Sequence, residues 1–160
     1  MKVVIASDKA GFELKERLLS FLREKNFEVQ DVGLTDPQGA MSYFAAAGNL
    51  AKVLQRGEAE RGILICGTGA GVCAGANKYE GIFAAACESV FSARMCRVVN
   101  DANVMALGGN IVAPVMAQEM CEAFLKNGFA EGLPKERKEF LAQLKGAYNA
   151  FVKETDFSKP

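Results

Sequence analysis

The sequence predicts an α/β domain, a mostly parallel sheet covered by helices on both sides. Short apolar runs rich in strand-forming residues alternate along the chain with longer stretches whose apolar residues recur at helical spacing. The short runs are apolar on both faces, as strands held between two helical layers must be. The 160 residues read as a single domain over 1–160, a size at which roughly 70% of the unfolded surface is removed from water.

The first strand is expected at Val3–Ser7, ended by Asp8. From Gly11 to Lys25 the residues Phe12, Leu14, Leu18, Leu19 and Leu22 keep helical spacing, with Lys15, Glu16 and Arg23 between them. A second strand fits Phe27–Gly33, followed by a turn-rich segment and a helix from Ser42 to Gln55. The third strand, Gly62–Cys66, runs into the glycine-rich Gly67–Gly71 and a helix reaching Lys78. Gly81–Cys87 suits a fourth strand, Val90–Val99 a helix and Asn103–Gly109 a fifth strand. Pro114–Lys126 is a helix with proline in its first turn, where the missing N–H costs nothing. A last helix, Pro134–Glu154, follows no strand and carries Phe140, Leu141, Leu144, Tyr148 and Phe151 on one stripe, suited to a partner subunit or to covering the site.

Composition removes several function classes. Nineteen basic and nineteen acidic residues give zero formal charge, which argues against a nucleic-acid partner held by a basic field. With no histidine, Ser-His-Asp and Cys-His nucleophile systems and the common zinc ligand sets are excluded. The five cysteines form no C-x-x-C pair. No run approaches a membrane span and the N-terminus lacks a signal-peptide pattern, so the expectation is a cytoplasmic protein with reduced thiols and no membrane partner.

In sheets of this kind ligands bind at the carboxyl ends of the strands. Three loops are expected there: Asp8–Gly11, Cys66–Gly71 and Asn100-Asp101. Glycines at 67, 69 and 71 let N–H groups approach a ligand, and the following helix adds positive potential at its start, which together suit a phosphate or a developing oxyanion. The spacing matches neither the dinucleotide fingerprint nor a P-loop. Cys66, beside these donors, reads either as an apolar strand end or as a thiol tuned for proton transfer. Asp8 fits an N-cap or a site carboxylate, and Lys9 a solvated lysine or an anion contact.

These residues fall into a pattern. Asp8 to Phe12, Ile63 to Gly71, Ala76 to Lys78, Gly81 to Ala84, Phe91 to Arg94 and Asn100 to Gly108 resemble, in order and spacing, the ribose-5-phosphate isomerase B and galactose-6-phosphate isomerase family. The resemblance runs from Lys2 to about Arg137. It implies a Rossmann-like three-layer sandwich with a five-stranded parallel sheet, assembled as a homodimer or tetramer with the site at the subunit interface. It implies aldose–ketose isomerisation of a sugar phosphate through a cis-enediolate, without metal or organic cofactor. In that pattern Cys66 is the base, Thr68 a site hydroxyl, and Gly67 to Gly71 the backbone hole for the enediolate oxygen. Asp8, Tyr43 and Asn100 match substrate contacts, Asn100 from the partner chain, and Arg137 matches a phosphate contact.

The departures bear on substrate. Lys9 and Val99 stand where ribose-phosphate enzymes of the family carry histidines, the second for ring opening, and valine cannot move a proton. Asn110 and Leu133 replace two phosphate-contacting arginines. Either Thr68 or Asp8 takes over ring opening, or the substrate arrives open-chain, as a tetrose phosphate must. The resemblance implies a ribose-5-phosphate isomerase B-like activity first; galactose-6-phosphate and tetrulose phosphate are alternative substrates, and a non-catalytic phosphosugar-binding subunit is the alternative of another class. A nucleotide-binding module and a flavodoxin-like carrier fit less well.

Overall fold

The computed structural model describes residues 1–155 and contains a five-stranded sheet in the order β2-β1-β3-β5-β4, every neighbouring pair parallel. In chain order the elements are β1 (Lys2–Ser7), α1 (Phe12–Glu24), β2 (Glu28–Asp31), α2 (Tyr43–Gln55), β3 (Arg61–Cys66) and α3 (Ala70–Ala76). β4 (Ala84–Ala86), α4 (Val90–Val98), β5 (Val104–Gly108), α5 (Pro114–Lys126) and α6 (Lys135–Glu154) follow. The three-layer sandwich is as expected, with shorter strands at its edges.

Each strand splits its side chains between two cores by simple alternation. Val3, Ile5, Ile63, Ile65, Met105 and Leu107 face α1, α4 and α5, meeting Leu18, Leu22, Ala93, Met120 and Phe124. Val4, Ala6, Leu64, Cys66, Val104 and Ala106 face α2 and α3, meeting Ala47, Leu50, Ala51, Val72 and Ala76. The second core is rich in alanine, so α2 lies close to the sheet.

β4 is three residues long, where the sequence suggested seven. Side chains compete with the ladder there: Asn103 Oδ1 accepts from Phe83 N at 2.8 Å and Asn77 Oδ1 from Ala84 N at 2.8 Å. β2 is likewise shorter than expected, although the chain leaving it stays bonded to β1 through Val32 N to Ile5 O and Leu34 N to Ser7 O, both at 3.0 Å, and the Asp31 carboxylate accepts from Gly33 N at 2.9 Å.

Lys15 is the other departure. Placed among the polar residues of α1 by its type, it is fully buried. Its ammonium pairs with Asp31, donates to Leu34 O at 2.6 Å and lies 2.9 Å from a Glu16 oxygen. Its position three and four residues before Leu18 and Leu19 puts it on the apolar stripe, so it reaches under the chain leaving β2 and holds it down. α6 also differs in part: Leu141 is buried, while Phe140, Leu144, Tyr148 and Phe151 remain at least half exposed.

Removing one partner of a buried pair strands the other charge. Lys15→Ala is therefore expected to lower the unfolding free energy by about 3–5 kcal/mol, measured by urea denaturation. A loss below about 1 kcal/mol, the level of a surface pair, would show that Lys15 does not anchor the β2 turn.

Candidate active site

The strand order reverses between β1 and β3: the chain steps outward from β1 to β2 on one side, then returns to β3 and moves outward on the other. α1 and α3 depart to opposite faces, which opens a crevice at the carboxyl ends of these two strands. Asp8 and Cys66 stand at its two lips.

The lips are tied together through backbone. Asp8 N donates to Ile65 O at 3.3 Å, one step beyond the β1 ladder. Asp8 Oδ1 accepts from Gly11 N at 3.0 Å, so its carboxylate closes the turn through one oxygen. A Cβ on Gly11 would stand 2.6 Å from the Ile65 carbonyl, so this turn packs directly on β3. On the other flank Gly109 N donates to Cys66 O at 2.7 Å and Asn110 N to Gly67 O at 3.0 Å.

Cys66 is 4% exposed, and its Sγ accepts from Gly69 N at 3.2 Å. Gly69 has φ of +80°, and a Cβ there would also press on Leu107 at 2.9 Å. Only glycine can take this left-handed conformation without cost, and the conformation aims the amide at the sulfur. α3 behind it has only seven residues, so the first-turn amides, rather than a long dipole, supply the local positive potential.

Tyr43 begins α2, after Ser42, whose hydroxyl accepts from Ala45 N at 3.2 Å and caps the helix. The Tyr43 ring covers Gly71 so closely that a Cβ would stand 3.2 Å from it. Thr68 is exposed on the loop, its carbonyl packed against Gly108, and Lys9 is exposed in the Asp8–Gly11 turn. The Asn110 amide lies 3.3 Å from where a Gly67 Cβ would be, at the same rim. The structure thus gathers Asp8, Lys9, Tyr43, Cys66, Gly67, Thr68, Gly69 and Gly71. Asn110 belongs with them; sequence reading saw only what its position lacked.

Asn100 and Arg137 lie elsewhere. Asn100-Asp101 was expected at the carboxyl ends of the strands, but it follows α4 and precedes β5, and therefore sits at the amino end of β5. Gly62 N, at the start of β3, donates to Asn103 O at 2.9 Å close by. Asn100 is exposed; Asp101 pairs with Arg97 at 2.9 Å and with Lys145 of α6. Arg137 is exposed on the first turn of α6, its guanidinium 5.3 Å over the Phe140 ring. α6 then runs past Asp101 to Phe83, whose ring meets Tyr148 at 6.1 Å. It lies toward the amino edge and does not roof the Cys66 crevice of its own chain.

The remaining thiols differ in environment. Burial pushes the Cys121 thiol and, less strongly, the Cys73 thiol above the usual range. No group of three His, Cys, Asp or Glu side chains able to hold a metal ion occurs among the described residues. No helix among them is long and apolar enough to cross a membrane. Two surface hollows, one between α1 and α5 at Arg17 and Val115, the other beside Gln55 and Glu80, include no residue of this crevice. The crevice offers a thiol, backbone donors, a hydroxyl, a carboxylate and one lysine: the parts of a proton-transfer site for a polar substrate.

Comparison with known proteins fits this chemistry. The family model described as Ribose/Galactose Isomerase matches residues 3–141. A protein from Clostridium sp. (strain MSTE9) named 4-deoxy-4-sulfo-D-erythrose isomerase is 46% identical over 99% of both chains. The D-erythrulose-4-phosphate isomerase of Pectobacterium atrosepticum is 38% identical, covering 86% of this chain and 92% of that protein. Among solved structures, Clostridium thermocellum ribose-5-phosphate isomerase B superposes with a TM-score of 0.81 at 34% identity, covering 94% of this chain and 99% of the other. With its motifs, its sheet order and its crevice in agreement, the chain belongs to the ribose/galactose isomerase family and is a sugar isomerase.

Proposed function

We propose that the protein interconverts a short, open-chain aldose and its ketose, with Cys66 as the base, and that the substrate is a four-carbon sugar ending in a sulfonate. The observation carrying the chemistry is the Cys66 sulfur set beside the Gly69 amide at the strand-order reversal. In the reaction the thiolate takes the proton from C2 of the aldose, and the electron pair moves through C1 onto the carbonyl oxygen. Amides of Gly67 and Gly71 receive the resulting oxyanion, the Gly69 amide being held on the Cys66 sulfur, and each such donor is worth roughly 3–4 kcal/mol in the transition state. Thr68 moves the proton between the two oxygens, and Cys66 returns its proton to C1. Asp8 and Tyr43 orient the sugar hydroxyls, and Lys9 faces the anionic end.

Val99 and the sparsely charged rim support the substrate choice. A furanose closes through the oxygen on C4. A sugar whose C4 bears sulfur, or whose C4 oxygen is esterified, stays open and needs no ring-opening acid, which a valine at this position suits. Asn110 at the crevice rim supplies a neutral amide. A sulfonate carries a single charge, which one cation such as Lys9 balances, whereas a phosphate monoester carries about −1.5 to −2 at neutral pH and calls for an arginine as well. The 46% identity with the sulfoerythrose isomerase points the same way. Ribose 5-phosphate is the second reading, favoured by Arg137 and by the likeness to the Clostridium thermocellum enzyme.

The same reading makes the site a joint product of two copies. Asn100 and Arg137 reach a Cys66 crevice only from a second chain, and the exposed Phe140, Leu144, Tyr148 and Phe151 give that chain an apolar surface to cover. A homodimer, alone or paired into a tetramer, is proposed, in the cytoplasm, where its five free thiols stay reduced.

Cys66→Ala is expected to cut turnover by about 10²–10⁴-fold and to stop solvent deuterium entering next to the carbonyl, read by NMR, with the fold retained. Unchanged exchange rules out the base. Across four-, five- and six-carbon sugars with sulfonate, phosphate or neither, the four-carbon sulfonate is expected to give the highest kcat/KM; a higher value for ribose 5-phosphate selects the second reading. Mixing unfolded Cys66→Ala and Arg137→Ala chains and refolding them together is expected to restore about a quarter of wild-type activity, the share of intact sites from random two-fold pairing. No restoration rejects the shared site.

A further inference from the structure

Outside the crevice, two thiols meet in the core between the sheet and α4. Cys87 Sγ lies 3.8 Å from Cys96 Sγ, and both side chains are buried, at 2% and 6% exposure. Cys87 follows the last residues of β4, just ahead of the Ser89 N-cap of α4, and Cys96 lies on the second turn of that helix. We propose that Cys87 and Cys96 form a reversible disulfide site: a peroxide or a small disulfide such as glutathione disulfide joins them, and the bond slows the isomerase.

The two sulfurs are placed for different parts of that chemistry. The contact with Cys96, and secondarily the Ser92 hydroxyl, holds the Cys87 thiol below its ordinary range, while the same contact and burial push Cys96 up. Cys87 is thus the thiol that ionises first and attacks. With hydrogen peroxide, the Cys87 thiolate takes one oxygen and becomes a sulfenic acid, releasing hydroxide, which is protonated to water. The Cys96 thiol then attacks that sulfur; the S–S bond forms, the S–O bond breaks, and its oxygen leaves as a second water with the Cys96 proton. Two thiols lose two electrons, and the peroxide gains them. With glutathione disulfide, Cys87 displaces one glutathione and Cys96 the other.

The bond has a structural readout because it must draw the sulfurs from 3.8 Å to about 2.05 Å. Cys96 is followed by Arg97, whose guanidinium donates to Ala102 O at 2.6 Å and pairs with Asp101 at 2.9 Å. These contacts hold the Asn100-Asp101 turn, so a shift of the second turn of α4 is passed to Asn100. The effect on rate rests on the shared-site reading above, whereas the disulfide itself does not.

The test uses the full-length protein treated with diamide or hydrogen peroxide, then alkylated. Before alkylation the intact mass is expected to fall by the two hydrogens of one disulfide; after it, three rather than five of the thiols carry the alkyl group, peptide mapping places the bond at Cys87–Cys96, and dithiothreitol reverses it. A cross-link at other cysteines, or none after an exposure that does oxidise the urea-unfolded chain, overturns the site. Turnover of the cross-linked protein is expected to fall at least fivefold and to recover on reduction. Cys96→Ser under the same dose is expected to keep its turnover; an equal loss there assigns the inhibition to Cys66 and overturns the switch, as does a cross-linked protein of unchanged rate. Should Cys96→Ser not fold, wild type with Cys66 first shielded by substrate takes its place. Activity of the reduced protein tests the isomerase reading by itself.

Discussion

The contact on which the site depends is the approach of two strand ends, β1 and β3, at the point where the sheet changes direction. Gly11 lies on the Ile65 carbonyl and Gly109 donates to the Cys66 carbonyl, so neither turn can move without the other. That coupling is backbone on backbone, with no long side chain to bend. It sets the Cys66 sulfur against the Gly69 amide, and the left-handed turn at Gly69 keeps that amide from pointing elsewhere. A site organised this way has its electrostatics in place before any ligand arrives.

The supporting layers bear on the same corner. Lys15 reaches from α1 under the segment that leaves β2, and Gly33 is pressed so closely on Ser7 that no side chain would fit there. The chain leaving β2 thus packs against the end of β1 before it continues to α2 and Tyr43. An ammonium buried in this way contributes definition more than net stability, since the cost of taking it out of water offsets most of its attraction to Asp31.

Much of this was legible in the sequence, and the exceptions have physical causes. The order of strands and helices could be read because parallel strands are apolar on both faces while their helices are striped. The Cys66 loop could be read because three glycines between a strand and a helix have few other uses. β4 ran short because the Asn77 and Asn103 side chains captured amides that composition alone assigned to a ladder. Asn100-Asp101 was assigned to the wrong end of the sheet because its motif looked like part of a site, whereas its place after a helix dictated the opposite edge. Lys15 stands between the apolar residues of its helix as a charged type, whereas its helical phase puts it inside. The meeting of Cys87 and Cys96, nine residues apart, depends on how the turn before α4 folds back, which no local pattern records.

The borders of the sheet have a bearing on how copies of this chain can meet. β2 has four residues and β4 three, and the asparagine amides beside β4 already occupy donors that an incoming strand would need. Neither margin offers a template long enough to extend hydrogen bonding into another molecule, which shields the fold from fibril-like stacking despite its zero net charge. Association is left to the outer surfaces of the helices, where contacts are made by side-chain shape and can be more selective than a strip of open backbone.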